Sequence, residues 1–376
     1  MVRRKSTLGD TMKESILFCG PIPQPGATPV GGYEACNVRT IEALRAGGTV
    51  VHELNYPVPK GSPLAKLGGY LRGYLSLYRK IAHLSQASPD ARIFHLTGLY
   101  KQFTAFEILL MWQARKHGLK TIYDIRAGAM HKHYARLGPL YRWLFCHLLR
   151  GADQVMIEGM DYAQFVEQTT DRRAFYLPNH IDTSNLPPRI PLSANTPLRL
   201  VYVGRVTLEK GVATAVQTAG LLQANGLACE ISIIGPGDKK LIDDMVRDYA
   251  DIGVQWLGSL PATQVLAALG EAHIFIFPTR HLGEGHSNAL TEAMAMGCVP
   301  VATDNGFNRT VIGDCGVVVP FDADASAYAS AILALWQKKH WSALSTAAMK
   351  RTRQLFSTEQ AVSRLQQVYQ DLSKVS

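Results

Sequence analysis

The 376-residue sequence lacks the marks of several large protein classes. Its six cysteines are scattered, without a Cys-x-x-Cys pair or a cysteine–histidine cluster, so neither a disulfide framework nor a zinc site is expected. No apolar run approaches the roughly 20 residues that cross a bilayer, and the run at 16–19 is too short for a signal peptide. Charged residues make up only 18% of the chain and hydrophobic residues 47%. The composition therefore predicts a globular, cytoplasmic protein with two domains of ordinary size.

Positive charge is concentrated in the first half of the chain. The net charge is +9, and residues 66–150 hold fourteen lysines and arginines against three acids. Three interpretations stay open: a solvated surface without a partner, docking on an anionic membrane, and nucleic-acid binding. Nucleic acid is the least favoured, because no helix-turn-helix, zinc finger or RNA-binding aromatic pattern accompanies the charge. Membrane docking would make the protein peripheral on the inner face of the plasma membrane.

A helix predicted over 64–86 combines cations with apolar side chains on one face. That face is formed by Lys66, Leu67, Tyr70, Leu71, Tyr74, Leu77 and Tyr78. Leucine and tyrosine at this spacing more commonly form the core face of a helix. The pattern therefore leaves a membrane contact and a packed core as alternatives.

Short apolar runs alternate with helical stretches in both halves of the chain. Strands are predicted at 15–20, 49–54, 93–96, 120–123, 154–157, 199–204, 228–235, 253–257, 273–278, 298–302 and 316–319, and helices at 33–46, 64–86, 101–117, 138–150, 209–225, 238–250, 261–270 and 287–296. The prolines that follow Leu177-Pro-Asn-His-Ile-Asp182 interrupt the alternation and mark a linker. The fold class predicted is α/β, with two doubly wound, Rossmann-like domains that face each other across a cleft. Their bounds are 1–190 and 191–355, followed by a terminal helical segment at 356–376.

Two cations, Arg205 and Lys210, follow the predicted strand 199–204 at the start of a helix. Arginine can hold two phosphate oxygens with its planar fork, and lysine acts as a mobile point charge. Positive charge at a helix start opposes the helix dipole, which weakens the alternative that both are merely solvated. The pair therefore predicts a diphosphate site.

Two acids, Glu284 and Glu292, stand eight positions apart in a Gly-rich loop and the helix that follows it. Eight helical residues span about 12 Å, whereas the two carboxyls of a retaining glycosidase lie about 5–5.5 Å apart. The acids are therefore predicted to bind separate hydroxyl groups. Ser287 and Asn288 are suitable N-caps, and the N–H groups beyond them can bind phosphate.

Several motifs in order resemble the retaining glycosyltransferases of family 4, which have the GT-B architecture. The motifs are Gly204-Arg205 with Lys210-Gly211, Ile234-Gly235-Pro-Gly237, Leu257-Gly258, Glu284-x7-Glu292 and Pro300-Val301, with looser matches at Gly31-Gly32 and in the linker. They cover most of 198–320. The resemblance implies that 1–190 is the acceptor-side domain, that 191–355 binds the nucleotide sugar, and that 356–376 returns to the first domain.

The resemblance also implies roles for individual residues. Arg205 and Lys210 would hold the donor diphosphate, Glu292 the ribose and Glu284 the donor sugar. Backbone at Gly285, His286, Ser287, Asn288, Ala289 and Leu290 would meet sugar and phosphate. Leu260, beside Gly235 and Gly237, would line the base, and Gly32 would let the opposite domain approach the phosphate.

The first domain departs from the family pattern at Tyr123, where family members often carry a histidine that contacts the donor sugar. Asp124, Arg126 and, further on, His131 or His133 could take a share of its role, and Asp124 is predicted to take part in catalysis. The further candidates on the acceptor side are His95, Thr97, Arg126 and His131. Each histidine also has a simpler interpretation, as a surface or a satisfied near-core residue.

The function predicted is transfer of a sugar, with retention, from a UDP- or GDP-sugar to a hydroxyl of a glycan or lipid-linked acceptor. Cell-surface polysaccharide or glycolipid assembly is the expected setting. No Asp-x-Asp motif lies near the site loops, so no metal and no cofactor are expected, because Arg205 and Lys210 would stabilise the leaving diphosphate. The alternatives are a GT-B nucleotide-sugar epimerase or hydrolase, and a non-catalytic peripheral membrane protein.

Overall fold

The computed structural model describes residues 15–374 apart from 25, 30, 127, 191, 193–195 and 339. The basic N-terminus, the predicted boundary residue Pro191 and the last two residues of the terminal segment lie outside the described residues. The described chain forms two six-stranded sheets, and every strand pair in both is parallel. The predicted α/β class is confirmed.

The first sheet has the strand order β2-β1-β3-β4-β5-β6. Its strands are β1 (Ser15–Gly20), β2 (Val50–Asn55), β3 (Ala91–Gly98), β4 (Lys120–Ile125), β5 (Gln154–Ile157) and β6 (Phe175–Tyr176). Its helices are α1 (Gly32–Ala46), α2 (Pro63–Ala87), α3 (Thr104–Lys116), α4 (Met130–Arg136), α5 (Pro139–Gly151) and α6 (Ala163–Thr170). All six residues of β1 are buried, as expected of a parallel strand covered on both faces.

The second sheet has the order β12-β11-β10-β7-β8-β9. Its strands are β7 (Leu198–Val203), β8 (Cys229–Ile234), β9 (Val254–Gly258), β10 (Ile274–Phe277), β11 (Val299–Thr303) and β12 (Val317–Val319). The helices after β7 are α7 (Val212–Ala224), α8 (Lys239–Asp248), α9 (Ala262–Gly270), α10 (Asn288–Ala295), α11 (Asn308–Ile312), α12 (Ala325–Gln337), α13 (Trp341–Leu355) and α14 (Thr358–Lys374).

The last helix, α14, packs against the first sheet and not against the second. Its buried side chains Val362, Leu365 and Tyr369 share a core with Phe18 of β1 and Leu44 of α1. The other face of the first sheet is covered by α2, α3 and α5. The chain therefore crosses between the two sheets twice, once in the proline-rich linker and once before α14.

Candidate functional site

A cavity of about 650 Å³ lies between the two sheets. Segments that follow β1, β3, β7 and β10 contribute to its wall. The strand order of each sheet reverses between two of these strands, β1 and β3 in the first sheet and β7 and β10 in the second. Doubly wound sheets bind ligands at such reversals, beyond the carboxyl ends of the strands. The topology therefore identifies this cavity as the candidate site.

Lys210 and Glu284 form an ion pair in the cavity wall. The Lys210 ammonium lies 2.7 Å from Glu284 Oε2, and the Thr279 hydroxyl donates to the same oxygen at 2.7 Å. Both partners of the pair are largely buried. Lys210 belongs to the turn Leu208–Lys210 before α7, and Glu284 to the loop after β10. The pair therefore holds two loops of the second sheet together at the cavity.

Arg205 lines the same cavity with a free guanidinium. Its side chain is exposed, and it makes no hydrogen bond or ion pair with any residue that the structure describes. The backbone at this position is fixed, because the Tyr202 hydroxyl donates to the Arg205 carbonyl oxygen at 2.7 Å. Arg205 is thus an uncompensated positive charge available to a ligand, whereas Lys210 is already partly neutralised.

The amino end of α10 also faces the cavity. Ser287, Asn288 and Ala289 line it, and the N-cap Ser287 makes no side-chain capping bond. The side-chain amide of Asn288 instead donates to the carbonyl oxygen of Gly32 at 3.0 Å. No described residue accepts a hydrogen bond from the first N–H groups of α10, so these groups are available to an anion.

Glu292, the predicted ribose ligand, is paired across the cleft with Arg39 of α1. The Arg39 guanidinium donates to Glu292 Oε1 and, at 3.1 Å, to the carbonyl oxygen of His180. Glu284 and Glu292 thus have separate partners, as expected from their spacing. A ribose that binds Glu292 must share the carboxylate with Arg39 or displace it.

Arg126 reaches the cavity from the end of β4. Its Nε donates to Asp124 Oδ2 at 2.6 Å and its Nη1 to Asn179 Oδ1 at 3.0 Å. Asn179 in turn donates to the carbonyl oxygen of His286 at 2.5 Å. Burial alone would raise the pKa of Asp124, but Arg126 and His95 outweigh it and hold the pKa of this carboxyl below its usual value. Asp124 therefore anchors Arg126, and Arg126 faces the ligand space.

The loop after β3 forms the rim of the cavity on the side of the first sheet. Leu99, Tyr100 and Lys101 line the cavity, and the last two have φ angles of 48° and 56°. Such left-handed backbone is costly for residues other than glycine. The buried carboxyl of Glu107 holds the loop, because its Oε1 accepts the N–H groups of Leu99 at 2.5 Å and Tyr100 at 3.2 Å.

Most of the predicted donor-binding residues lie on this one cavity. Those that line it are Gly32, Arg205, Lys210, Glu284, Gly285, His286, Ser287, Asn288, Ala289 and Glu292. Leu290 is fully buried, so only its backbone N–H in the first turn of α10 is left for a ligand. Gly235, Gly237 and Leu260 lie outside the cavity wall, and their contact with the base stays a prediction.

The structure corrects three candidates of the first domain. His95 and Thr97 are fully buried in β3. The strand extends to Gly98, so it includes Thr97, which lies beyond the predicted end at 96. His95 Nδ1 lies 2.6 Å from the Tyr369 hydroxyl of α14, so it is a satisfied core histidine. Asp124 is buried behind Arg126 and does not line the cavity. A direct contact of these three side chains with a substrate is therefore wrong for this structure.

Tyr123, which stands where family members often carry a histidine, does not line the cavity. Tyr123 is buried, and its hydroxyl donates to Glu107 Oε2 at 2.9 Å. The strand β4 runs to Ile125, two residues beyond its predicted end, so the first side chain beyond the strand is that of Arg126. His131 lies in a neighbouring hollow of about 410 Å³ between the sheets, and its acceptor-side role stays a prediction.

Four charged residues of the site escaped prediction from the sequence: Arg39, Lys101, Glu107 and Glu158. Glu158 is a buried acid that lines the cavity directly after β5. Its position gives a usable signal, since it is the first polar residue after a strand that the sequence predicts correctly. Arg39 and Glu107 lie inside helices and carry no such signal.

The predicted face of α2 divides into a buried and an exposed part. Tyr74 and Leu77 enter the core, whereas Leu67 and Leu71 are 56% and 52% exposed. Exposed leucines recur at helical spacing along one stripe of α2, at Leu64, Leu67, Leu71 and Leu75. The helices α3 and α5 also expose large apolar side chains, which are Leu109, Trp112, Leu140 and Trp143. Among the described residues, no helix is both long and apolar enough to cross a bilayer.

The described part of the chain holds no cluster of three or more His, Cys, Asp or Glu side chains placed to bind a metal ion. The expectation that no metal is needed stays a prediction.

Comparison with known proteins relates the second sheet to glycosyltransferases. Residues 197–338 match the family model described as Glycosyl transferases group 1. The amylovoran biosynthesis glycosyltransferase AmsK of Erwinia amylovora is 32% identical over 151 residues, which are 38% of this chain and 36% of AmsK. The chain spans less than half the length of the curated relatives it matches. The predicted resemblance to glycosyltransferases is confirmed over this region.

Solved structures match the chain over nearly its whole length. The sucrose-phosphate synthase of Thermosynechococcus elongatus aligns over 97% of this chain and 100% of its own, with a TM-score of 0.75 and 19% identity. Anabaena HepE, solved in complex with UDP, aligns over 95% of this chain and 100% of its own, with a TM-score of 0.69 and 14% identity. The predicted GT-B architecture is confirmed.

Proposed function

We propose that the protein is a glycosyltransferase that moves a sugar from a nucleoside diphosphate sugar to an acceptor hydroxyl. The observation that carries this proposal is the convergence of Arg205, Lys210 and the free amino end of α10 on one cavity. Three positive groups around one space match a diphosphate. They would also stabilise the charge that grows on the diphosphate as it leaves, the largest catalytic contribution available to such a site.

The carboxylates of the cavity would select the donor. Glu284, held by Lys210 and Thr279, is placed to accept hydrogen bonds from the transferred sugar, and Glu292 from the ribose. The separate partners of the two acids disfavour a double displacement through this pair. We therefore propose transfer with retention, in which the acceptor attacks on the face from which the diphosphate departs and the diphosphate takes the acceptor proton.

A UDP-sugar or a GDP-sugar is the proposed donor, and a glycan or lipid-linked hydroxyl the proposed acceptor. The complex of HepE with UDP supports a uridine donor, and the name of AmsK refers to the biosynthesis of a polysaccharide, amylovoran. Both likenesses are distant or partial, so the donor base and the acceptor remain part of the proposal. Assembly of a cell-surface polysaccharide or glycolipid is the setting that these relatives favour.

An anionic membrane surface is the proposed docking partner of the first domain. The exposed leucines of α2 lie beside exposed cations of the same helix, Lys66, Arg72, Arg79 and Lys80. Apolar side chains that enter the interface and cations that attract anionic lipid are the two elements of peripheral membrane binding. Such docking would bring a lipid-linked acceptor to the cavity from the cytoplasmic side.

Thermal stabilisation by nucleotides tests the proposed function. A ligand at a hundred times its dissociation constant adds about 2.7 kcal/mol to the free energy of unfolding. UDP, GDP, ADP and their common sugar conjugates are compared at equal concentration, followed by measurement of nucleoside diphosphate release. We expect one base to raise the melting temperature and its sugar conjugate to be turned over. No shift with any nucleoside diphosphate would contradict the proposal.

A further inference from the structure

Glu158 lines the cavity but has no role in the proposed sugar transfer as described above. It follows β5 directly, is 4% exposed and lines the cavity wall on the side of the first sheet. Buried acids are rare unless they are paired or neutral. Its position in a ligand cavity makes it a candidate for direct contact with substrate.

The carboxyl of Glu158 lies against the loop that carries Glu284. A Cβ atom added to Gly285 would stand 2.3 Å from Glu158 Oε1, so the carboxyl lies directly against the backbone of this loop. The backbone N–H of His286 is near enough to lower the pKa of the carboxyl. Glu158 of the first domain therefore meets the chain at the residue directly after Glu284, the proposed sugar ligand.

No described side chain donates a hydrogen bond to Glu158. The nearest guanidinium, that of Arg126, is directed to Asp124 and Asn179. Because Glu158 also lines the cavity, the hydrogen-bonding capacity of its carboxyl is available to a ligand there.

The surroundings of Glu158 favour its neutral form. The pKa of this carboxyl is raised to about 8, because burial, Asp124 and Glu284 together outweigh Arg126 and the His286 N–H, which lower it. The other titratable groups that sense its charge are Cys36, Tyr100, Tyr162 and Tyr176. A bound diphosphate adds negative charge nearby, which favours the proton still more.

We propose that Glu158 is a sugar-binding residue whose carboxyl O–H donates a hydrogen bond to a hydroxyl oxygen of the transferred sugar. The inference rests on the proposed function. It places a second acid beside Glu284 at the sugar, so that the Glu284 carboxylate accepts a hydrogen bond from the sugar and the Glu158 carboxylic acid donates one to it. Glutamine can replace such a donor, whereas it cannot replace a general base or a nucleophile.

The test compares the affinity for UDP-glucose with that for UDP, and for GDP-mannose with that for GDP, by calorimetry from pH 6 to pH 9. The difference between the binding free energies of the nucleotide sugar and the nucleoside diphosphate measures the contribution of the sugar, and the measurement needs no acceptor. We expect Glu158→Leu to weaken binding of the nucleotide sugar about tenfold to a hundredfold, with binding of the nucleoside diphosphate unchanged. Glu158→Gln should keep most of the contribution of the sugar to the binding free energy. Glu167→Gln, at an exposed acid of α6, is the matched control.

The pH dependence shows whether the Glu158 carboxyl donates through its own proton. In the wild type, the contribution of the sugar to the binding free energy should fall above about pH 8, because the carboxyl loses its proton there. In Glu158→Gln this contribution should stay constant with pH. The inference is overturned if Glu158→Gln loses as much affinity for the nucleotide sugar as Glu158→Leu does. It is also overturned if Glu158→Leu binds the nucleotide sugar as tightly as the wild type. Glu158→Gln has nearly the same shape as the native residue, so the comparison stands even if the leucine variant unfolds.

Failure of the proposed function gives a different result. In that case the wild type binds neither UDP nor GDP, and the sugar-binding role of Glu158 fails with it. If instead the wild type binds a nucleoside diphosphate through Arg205 and the Glu158 variants match it for the sugar, only the role of Glu158 is refuted.

Discussion

At the scale of single residues, Arg205 and Lys210 differ in whether their charges are paired. Lys210 forms a largely buried ion pair with Glu284, whereas the Arg205 guanidinium has no partner among the described residues. Removal of Lys210 leaves a buried carboxylate with only the Thr279 hydroxyl, and breaking such a pair costs about 3 kcal/mol. Removal of Arg205 leaves nothing unpaired. The two cations therefore differ in what they do for stability while they share a ligand.

Lys210→Ala is expected to lose both stability and activity, and Arg205→Ala activity alone. Turnover should fall about 10²–10³-fold in each, as when one charge-stabilising donor is removed. Chemical denaturation and nucleoside diphosphate release measure the two effects. Lys240→Ala, at an exposed cation of α8, is the control and should change neither. Equal stability of the two variants would contradict the ion-pair geometry.

Residues at the carboxyl ends of strands could be predicted from the sequence, because a parallel sheet brings them to one edge. Arg205, Lys210 and Glu284 were identified in this way and line the cavity. The end of β4 was predicted two residues early, and this shift changes which side chain is the first beyond the strand. Arg39 could not be found, since it lies within α1 and its role depends on where Glu292 of the other domain comes to lie.

At the scale of elements, one buried acid fixes the loop after β3. Glu107 accepts the N–H groups of Leu99 and Tyr100, where the backbone has an unfavourable left-handed conformation. Glu107→Ala leaves these groups unsatisfied and should cost about 1–3 kcal/mol of the free energy of unfolding for each buried donor. Hydrogen exchange at 99–101 should accelerate. Glu167→Ala, at an exposed acid of α6, should stay within about 0.5 kcal/mol of the wild type.

The exposed stripe of α2 carries the membrane proposal. The double variant Leu67→Glu/Leu71→Glu places charges on side chains that are more than half exposed, so the fold should be unaffected. Each leucine contributes about 1.5–3 kcal/mol when fully buried, and partitioning to anionic vesicles should fall more than about tenfold. Val246→Glu, at an exposed apolar residue of α8, is the control in a vesicle sedimentation assay. Unchanged partitioning of the double variant would refute docking through α2.

Long, strongly periodic elements were predictable and short ones were not. The bounds predicted for β1 and β5 agree with the structure, and those of α2 and α10 differ by one residue at each end. The unpredicted elements β6, α4, α6 and α11 have between two and eight residues. So few residues carry no repeating pattern, and packing against the rest of the chain decides their conformation.

At the scale of the whole molecule, glycines allow the two sheets to close around the cavity. A Cβ atom on Gly128, which follows β4, would lie 1.8 Å from the carbonyl oxygen of Glu284. Phe307 of the second domain packs its ring against Tyr162 of the first, with centroids 5.1 Å apart. The architecture followed from the alternation of strands and helices, but these contacts join residues far apart in the chain and could not be predicted from it.

Gly128→Ala is expected to keep the domains from closing. The added methyl group collides with backbone, which cannot rotate away, so donor and acceptor groups would be misplaced by an ångström or more and turnover should fall about 10²-fold. UDP binding should persist, because Arg205 and Lys210 belong to one domain. Gly138→Ala is the control, since a Cβ there meets no atom within 4 Å. Small-angle scattering should show expansion of the Gly128 variant, and an unchanged profile with full turnover would contradict this account of closure.

The central claim, that the cavity binds a nucleoside diphosphate through Arg205, is tested most directly by calorimetric titration with UDP and GDP. Wild type, Arg205→Ala and Lys240→Ala are compared under identical salt. We predict that the wild type and the Lys240 variant bind one of the two nucleotides equally well. Arg205→Ala should bind it about tenfold to a hundredfold more weakly, as expected for loss of a charged hydrogen bond. Equal affinity of all three proteins, or no binding by the wild type, would contradict the claim.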